Sequence, residues 1–88
     1  LHNMGDLELG IIAFKQQNYE DTLQLLESIA DQGDAEAQCI IGNLYQLGLG
    51  VAQDYQKAVY WYQKSANQGY GVASNNLAGI ISRGYGDI

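Results

Sequence analysis

The sequence predicts an all-α chain of about five helices, folded as antiparallel hairpins stacked in a row. Three observations predict it. Apolar residues recur at i, i+3, i+4 spacing; glycine stops repeat with a period of 36 residues; and Pro is absent while Gly numbers 11. Shifting the chain by 36 lays Ala30-Asp31-Gln32-Gly33 on Ala66-Asn67-Gln68-Gly69 and Gly48-Leu49-Gly50 on Gly84-Tyr85-Gly86. The same shift lays Tyr19 on Tyr55, Ala37 on Ala73 and Leu44 on Ile80.

The elements follow in order. Leu7, Gly10, Ile11 and Phe14 fit a helix near 5–16 loosely, and Gln17-Asn18 makes a tight turn out of it. Leu23, Leu26, Ile29 and Ala30 mark a helix over 19–31. Gly33 then takes the left-handed conformation that closes a helix, and Asp34 caps the next. Ala37, Ile40, Ile41, Leu44 and Tyr45 mark the helix over 35–47, which a longer loop, 48–53, follows. Ala58, Trp61, Tyr62, Ser65 and Ala66 mark 54–68, and Asn67-Gln68-Gly69-Tyr70 repeats the earlier stop. Ala73, Leu77, Ile80 and Ile81 mark 71–83. Short connections between amphipathic helices make antiparallel hairpins, and regular repetition stacks them.

Composition narrows the function. With 88 residues the chain forms one small domain or a piece of a larger one, and 47% hydrophobic residues supply a core. Four Lys and Arg against ten Asp and Glu leave a charge of −6, which argues against nucleic acid and anionic membrane surfaces as partners. No apolar run approaches the length of a membrane span, so membrane insertion is not expected. One Cys and one His make neither an intrachain disulfide nor a structural zinc site. The chain starts at Leu1 rather than Met, which reads as a processed or excised piece of something longer.

Gly48-Leu49-Gly50 poses a choice between a phosphate-binding loop and a helix–helix joint. A dinucleotide fingerprint needs a preceding strand and a third glycine; a P-loop needs Gly-Lys-Ser/Thr. Neither is present. A turn explains every position: Gly48 and Gly50 permit backbone angles that a Cβ resists, Val51 plugs the hairpin end, and Asp54 caps the next helix. Trp61 and Tyr62 read as core with Ala58, Ile41 and Tyr45 rather than as a ligand pocket, while Tyr60 faces solvent. No Ser-His-Asp set exists, His2 lies at the terminus, and the acid pairs fall at helix starts, where carboxylates suit the dipole. Cys39 reads as a small core residue with no basic neighbour in sequence. No catalytic, cofactor-binding or metal site is therefore expected.

Taken together, Ala37-x-x-x-Ile41-Gly42-x-x-Tyr45-x-x-Gly48-x-Gly50-Val51-x-x-Asp54-x-x-Lys57-Ala58-x-x-Trp61-Tyr62-x-Lys64-Ser65-Ala66-x-Gln68-Gly69 resembles one complete Sel1-like repeat, with Ser65 in place of the usual Ala. The first hairpin, which lacks the Gly-x-Gly-Val loop, is similar to the related tetratricopeptide hairpin, and the final segment resembles the opening of another Sel1-like repeat. The chain thus divides into a tetratricopeptide-like hairpin at 1–33, a complete repeat at 34–69 and a partial one at 70–88. The resemblance implies a right-handed α-solenoid of helix-turn-helix repeats whose members bind proteins or peptides or organise assemblies.

It also implies that the first helix of each hairpin lines a concave face, with Gly10, Gly42 and Ala78 where paired helices cross. The groove residues are then Leu7, Ile11, Phe14 and Lys15 on the first helix, Glu36, Cys39, Asn43, Gln46 and Leu47 on the third, and Val72, Asn75, Gly79, Ser82 and Arg83 on the fifth. Glu36, Asn43, Gln46, Asn75 and Arg83 are the candidate partner-binding residues. Amide side chains there hydrogen-bond a peptide backbone without demanding a sequence. Asn43 matches the Asn of a tetratricopeptide carboxylate clamp, but Cys39 stands where a Lys would help.

The chain stops inside the loop begun by Gly84, so the last helix is expected to lack a cover. Ala73, Leu77 and Ile81 are expected to pack back, leaving Ile80, Tyr85 and Ile88 to face water, further repeats of a longer chain, or a second copy in a weak homodimer through 76–88. The function these readings support is a non-catalytic protein- or peptide-binding scaffold. The alternative is a structural oligomerisation unit acting through its uncapped C-terminal end. A weak hydrolase acting on cell-wall or β-lactam compounds is a third reading, raised by the resemblance alone.

Overall fold

In the computed structural model the backbone is described for residues 2–84 and side chains from Gly5 to Gly84. Five helices follow in order: α1 (His2–Lys15), α2 (Tyr19–Asp31), α3 (Ala35–Leu47), α4 (Tyr55–Ala66) and α5 (Gly71–Ser82). No strand occurs among the described residues. Helices adjacent in sequence pack together, giving two hairpins, α1–α2 and α3–α4, with α5 laid on α4. This is a helical repeat solenoid. No described helix is long and apolar enough to cross a membrane. The expectations for Tyr85, Gly86, Asp87 and Ile88, and for the side chain of His2, lie outside the described residues.

The turns form as their residues dictate. Gly33 (φ 108°) and Gly69 (φ 85°) end α2 and α4 in conformations that a Cβ resists. The carboxylates of Asp34 and Asp54 accept from the backbone N–H of Ala37 (2.8 Å) and Lys57 (3.1 Å), capping α3 and α4. Gly48 closes α3 in the left-handed region. Gly50 needs its glycine twice over: its φ is 72°, and a Cβ there would lie 2.8 Å from the Cβ of Tyr19. The α3–α4 loop therefore rests on the start of α2. The Asp54 N–H closes this loop by donating to the carbonyl of Tyr45 at 2.8 Å.

Gly10 and Gly42 sit where paired helices cross. A Cβ on Gly10 would strike Leu26, and one on Gly42 would strike the Tyr62 ring at 2.7 Å. Two apolar clusters result. Leu26, Ile29, Ala30, Ala37, Ile40 and Ile41 join α2 to α3, with Leu7, Ile11, Phe14, Leu23, Tyr45 and Trp61 packed on them. Cys39, Ala58, Tyr62, Ala73 and Ile80 join α3, α4 and α5. Polar contacts bind the stack lengthwise. Ser65 Oγ donates to the Ala35 carbonyl at 2.6 Å, and Gln68 Nε2 donates to the Gly33 carbonyl (2.7 Å) and Gln38 Oε1 (3.0 Å). Buried Gln38 donates in turn to the Ala30 carbonyl at 3.0 Å.

Several expectations are corrected. Ile80, expected to face outward, is fully buried, and Ile81, expected to pack back, is 53% exposed. Ala73, Leu77 and Ile80 share one stripe against α4, and Ile81 lies one position, about 100° of helix rotation, beyond it. Trp61, expected at the centre, is half-buried on the flank of the first cluster, with its ring edge-on to Tyr60 at 5.2 Å; Tyr62 holds the centre instead. Cys39, read both as a small core residue and as part of the open face, is buried as the first reading has it, because Ala73 and Ile80 of α5 share its cluster. Leu7, Ile11 and Phe14 are half-buried against the first cluster rather than lining an open wall. Ala78, expected at a crossing, is exposed.

Candidate partner-binding groove

α4 packs against both α3 and α5, so its inward face forms a floor between them. Tyr62 occupies that floor. Gly42 has no side chain, so the Tyr62 ring lies directly on the α3 backbone, and its hydroxyl reaches the seam between α3 and α5. There Tyr62 Oη lies 2.6 Å from Asn43 Oδ1 and 2.7 Å from Gln46 Oε1. Asn76 of α5 lies close enough to influence this hydroxyl. Burial, then the neighbouring Cys39, pushes the Tyr62 phenol far above its ordinary pKa, and Asn76 offsets part of that rise. The phenol therefore stays protonated and remains a donor.

Asn43 and Gln46 are brought together at one hydroxyl because they lie three positions apart on the same helical face. Both are half-buried. Glu36 is half-buried in the first turn of α3, and its charge adds to burial in pushing the Cys39 thiol up to about 11. The phenol of half-buried Tyr70 is also held above its usual range, first by burial and then by Glu36. Asn75 and Arg83 are exposed, on α5 and directly after it, and do not share the Tyr62 cluster.

Tyr62 Oη and Asn76 were missed from sequence. A Tyr where Phe would pack as well is a signal, since a buried phenol needs a polar partner. Asn76 carried none, because its place on α5 depends on how far that helix is rotated.

Other features lie outside this seam. A shallow hollow of about 290 Å³ is lined by Gln17, Asn18, Tyr19, Glu20, Asp21 and Gly50 at the start of α2. A wider one of about 530 Å³ on the outer face of α1 and α2 includes Leu9, Ile12 and Leu25. Lys57 and Lys64 lie over the rings of Tyr45 and Tyr60, each 5.2 Å from the centroid. No cluster of three or more His, Cys, Asp or Glu able to hold a metal occurs among the described residues.

The Sel1 repeat family model matches residues 1–34 and 35–70, both hairpins of the structure. The chain belongs to the Sel1 repeat family. The match includes the Sel1 hairpin that lacks the Gly-x-Gly loop as well as the one that has it. Among solved structures, a Sel1 repeat protein from Oxalobacter formigenes superimposes with a TM-score of 0.85 at 36% identity, covering 91% of this chain and 33% of that one. The chain is 30% identical over 87 residues to the ERAD-associated E3 ubiquitin-protein ligase component HRD3A of Arabidopsis thaliana, and 34% identical over 71 residues to chitin synthase regulatory factor 3 of Schizosaccharomyces pombe. These alignments cover 98% and 80% of this chain. The chain spans only 13% and 7% of those two relatives.

Proposed function

We propose that this Sel1 repeat segment is a non-catalytic protein- or peptide-binding scaffold that uses the α3–α5 seam, with Glu36, Asn43, Gln46, Asn75 and Arg83 as its contact residues. The observation that carries the reading is the gathering of two half-buried amides, Asn43 and Gln46, over the Tyr62 hydroxyl. The names of two relatives, a ligase component and a regulatory factor, support a role exerted on other proteins. Buried Cys39, its thiol raised to about 11, is a poor nucleophile near neutral pH, which favours binding over chemistry.

The test is selection of peptides from a displayed random dodecapeptide library on the intact chain. Asn75→Ala with Arg83→Ala should weaken a selected peptide about tenfold, equivalent to about 1.4 kcal/mol, and leave the melting curve unchanged. Unaltered affinity would move the site to a loop or an end face.

Ile81 of α5, an apolar side chain left 53% exposed, favours a second reading, self-association through that helix. Ile81→Lys should then abolish any concentration dependence in sedimentation. A wild-type chain that sediments as a monomer up to about millimolar, a limit corresponding to about 4 kcal/mol of binding, rejects it.

A further inference from the structure

The Tyr62 hydroxyl has one proton and two amide oxygens within reach, at 2.6 Å on Asn43 and 2.7 Å on Gln46. One proton serves one acceptor. Two lone-pair-bearing oxygens cannot both be held at that distance by a single O–H, so one amide must face the hydroxyl with its NH2 group instead. Carboxamide oxygen and nitrogen exchange places by a half-turn of the terminal group, without moving the rest of the side chain.

The consequence for the groove follows from what lies on the far side of each amide. No side-chain nitrogen or oxygen among the described residues is buried without a partner. Asn43 and Gln46 are only half-buried, and the side-chain hydrogen bond of each goes to Tyr62, so their atoms turned away from Tyr62 reach the surface without a protein partner. The amide that accepts from Tyr62 presents NH2 outward. The amide that donates to Tyr62 presents its carbonyl oxygen outward. An extended peptide offers the complementary pair, because the N–H and C=O of one residue point to the same edge of the strand.

We infer that Tyr62 is a positioning residue of the groove: its hydroxyl fixes Asn43 and Gln46 as an unlike pair, one donor and one acceptor, matched to the N–H and C=O of a single residue of an extended peptide. This rests on the binding function proposed above and names its recognition chemistry. Main-chain recognition of this kind tolerates varied side chains.

Two experiments decide it. The first uses a library-selected dodecapeptide as the probe. Tyr62→Phe keeps the ring and loses the hydroxyl; it should weaken the peptide five- to tenfold. Asn43→Ala should weaken it similarly, and the double variant should be little worse than either, because the two act through one arrangement. Methylating one main-chain nitrogen of the peptide should cost a similar factor at one position only. Binding of Tyr62→Phe within twofold of wild type, or single losses that multiply in the double variant, would overturn the inference. The second needs neither ligand nor variant: side-chain amide NMR of the wild-type chain. One of the Asn43 and Gln46 NH2 groups should show a downfield proton and slowed exchange, and the other should not. Two equivalent, freely exchanging NH2 groups would overturn the inference even if Tyr62→Phe does not fold. A library that yields no binder would count against the binding function, while the NMR result would still decide the pairing.

Discussion

The two hairpins solve the same packing problem with different parts. Both cross at a glycine, Gly10 beneath Leu26 and Gly42 beneath Tyr62. The first is closed by a tight turn in which Gln17 takes a φ of 65°, a left-handed angle that side chains resist, and Asn18 makes no side-chain cap bond. The second is closed by two glycines and by Asp54, which caps α4. Leu26 ends in methyl groups inside an apolar cluster. Tyr62 ends in a hydroxyl that meets two half-buried amides, Asn43 and Gln46. The same crossing geometry thus carries packing alone in one hairpin and packing plus a polar seam in the other. A repeat fold acquires a candidate site by changing one side chain at a position whose backbone is already fixed.

Truncating the two crossing residues breaks this comparison hardest. Tyr62→Ala and Leu26→Ala each remove a fully buried side chain and should cost about 3–5 and 2–5 kcal/mol. That approaches the whole stability of a small domain. Urea melts should show both variants largely unfolded, and Trp61→Ala, on a half-buried flank, less affected than either. A Trp61 variant as damaged as Tyr62→Ala would return Trp61 to the centre.

Alkali sharpens the comparison next, because Cys39 belongs to the cluster of the second hairpin. Its thiol is raised from 9.0 to about 11, so the folded state favours the neutral form. The associated stability is complete below pH 9 and is lost as pH rises from 9 toward 11. The full loss is about 3 kcal/mol, two pKa units at 1.36 each. Thermal melts of wild type should fall over that range, and those of Cys39→Ala should fall less. Parallel curves would remove Cys39 as the cause.

The smallest effects lie in the turns. Asp54→Ala should cost about 1 kcal/mol through the lost cap. Gln17→Gly should stabilise by up to about 1 kcal/mol through relief of the left-handed angle. A destabilised Gln17→Gly would show that the side chain at 17 holds the tight turn together.

The local chemistry of the chain was legible in its sequence. Asp34 and Asp54 cap helices, Gly33, Gly48 and Gly69 end them, and the stripes of α2, α3 and α4 reach the core largely as their spacing requires. Helix ends, caps and amphipathic faces depend on residues within a turn or two, so a linear reading captures them. Of the candidate groove residues, Asn43 and Gln46 were legible as a pair on one face, because that needs only helical periodicity. What tertiary structure decided was rotation and depth. Ile80 and Ile81 are equally apolar neighbours, and the packing of α5 on α4 selected Ile80. Trp61 and Tyr62 are adjacent aromatics, and the glycine at position 42 gave the inner place to Tyr62. Cys39 is inside because a helix more than thirty residues later covers it, and Asn76 lies close to Tyr62 by the same long-range packing. Periodicity fixes which residues share a face; only the neighbouring helix fixes which point of that face is innermost.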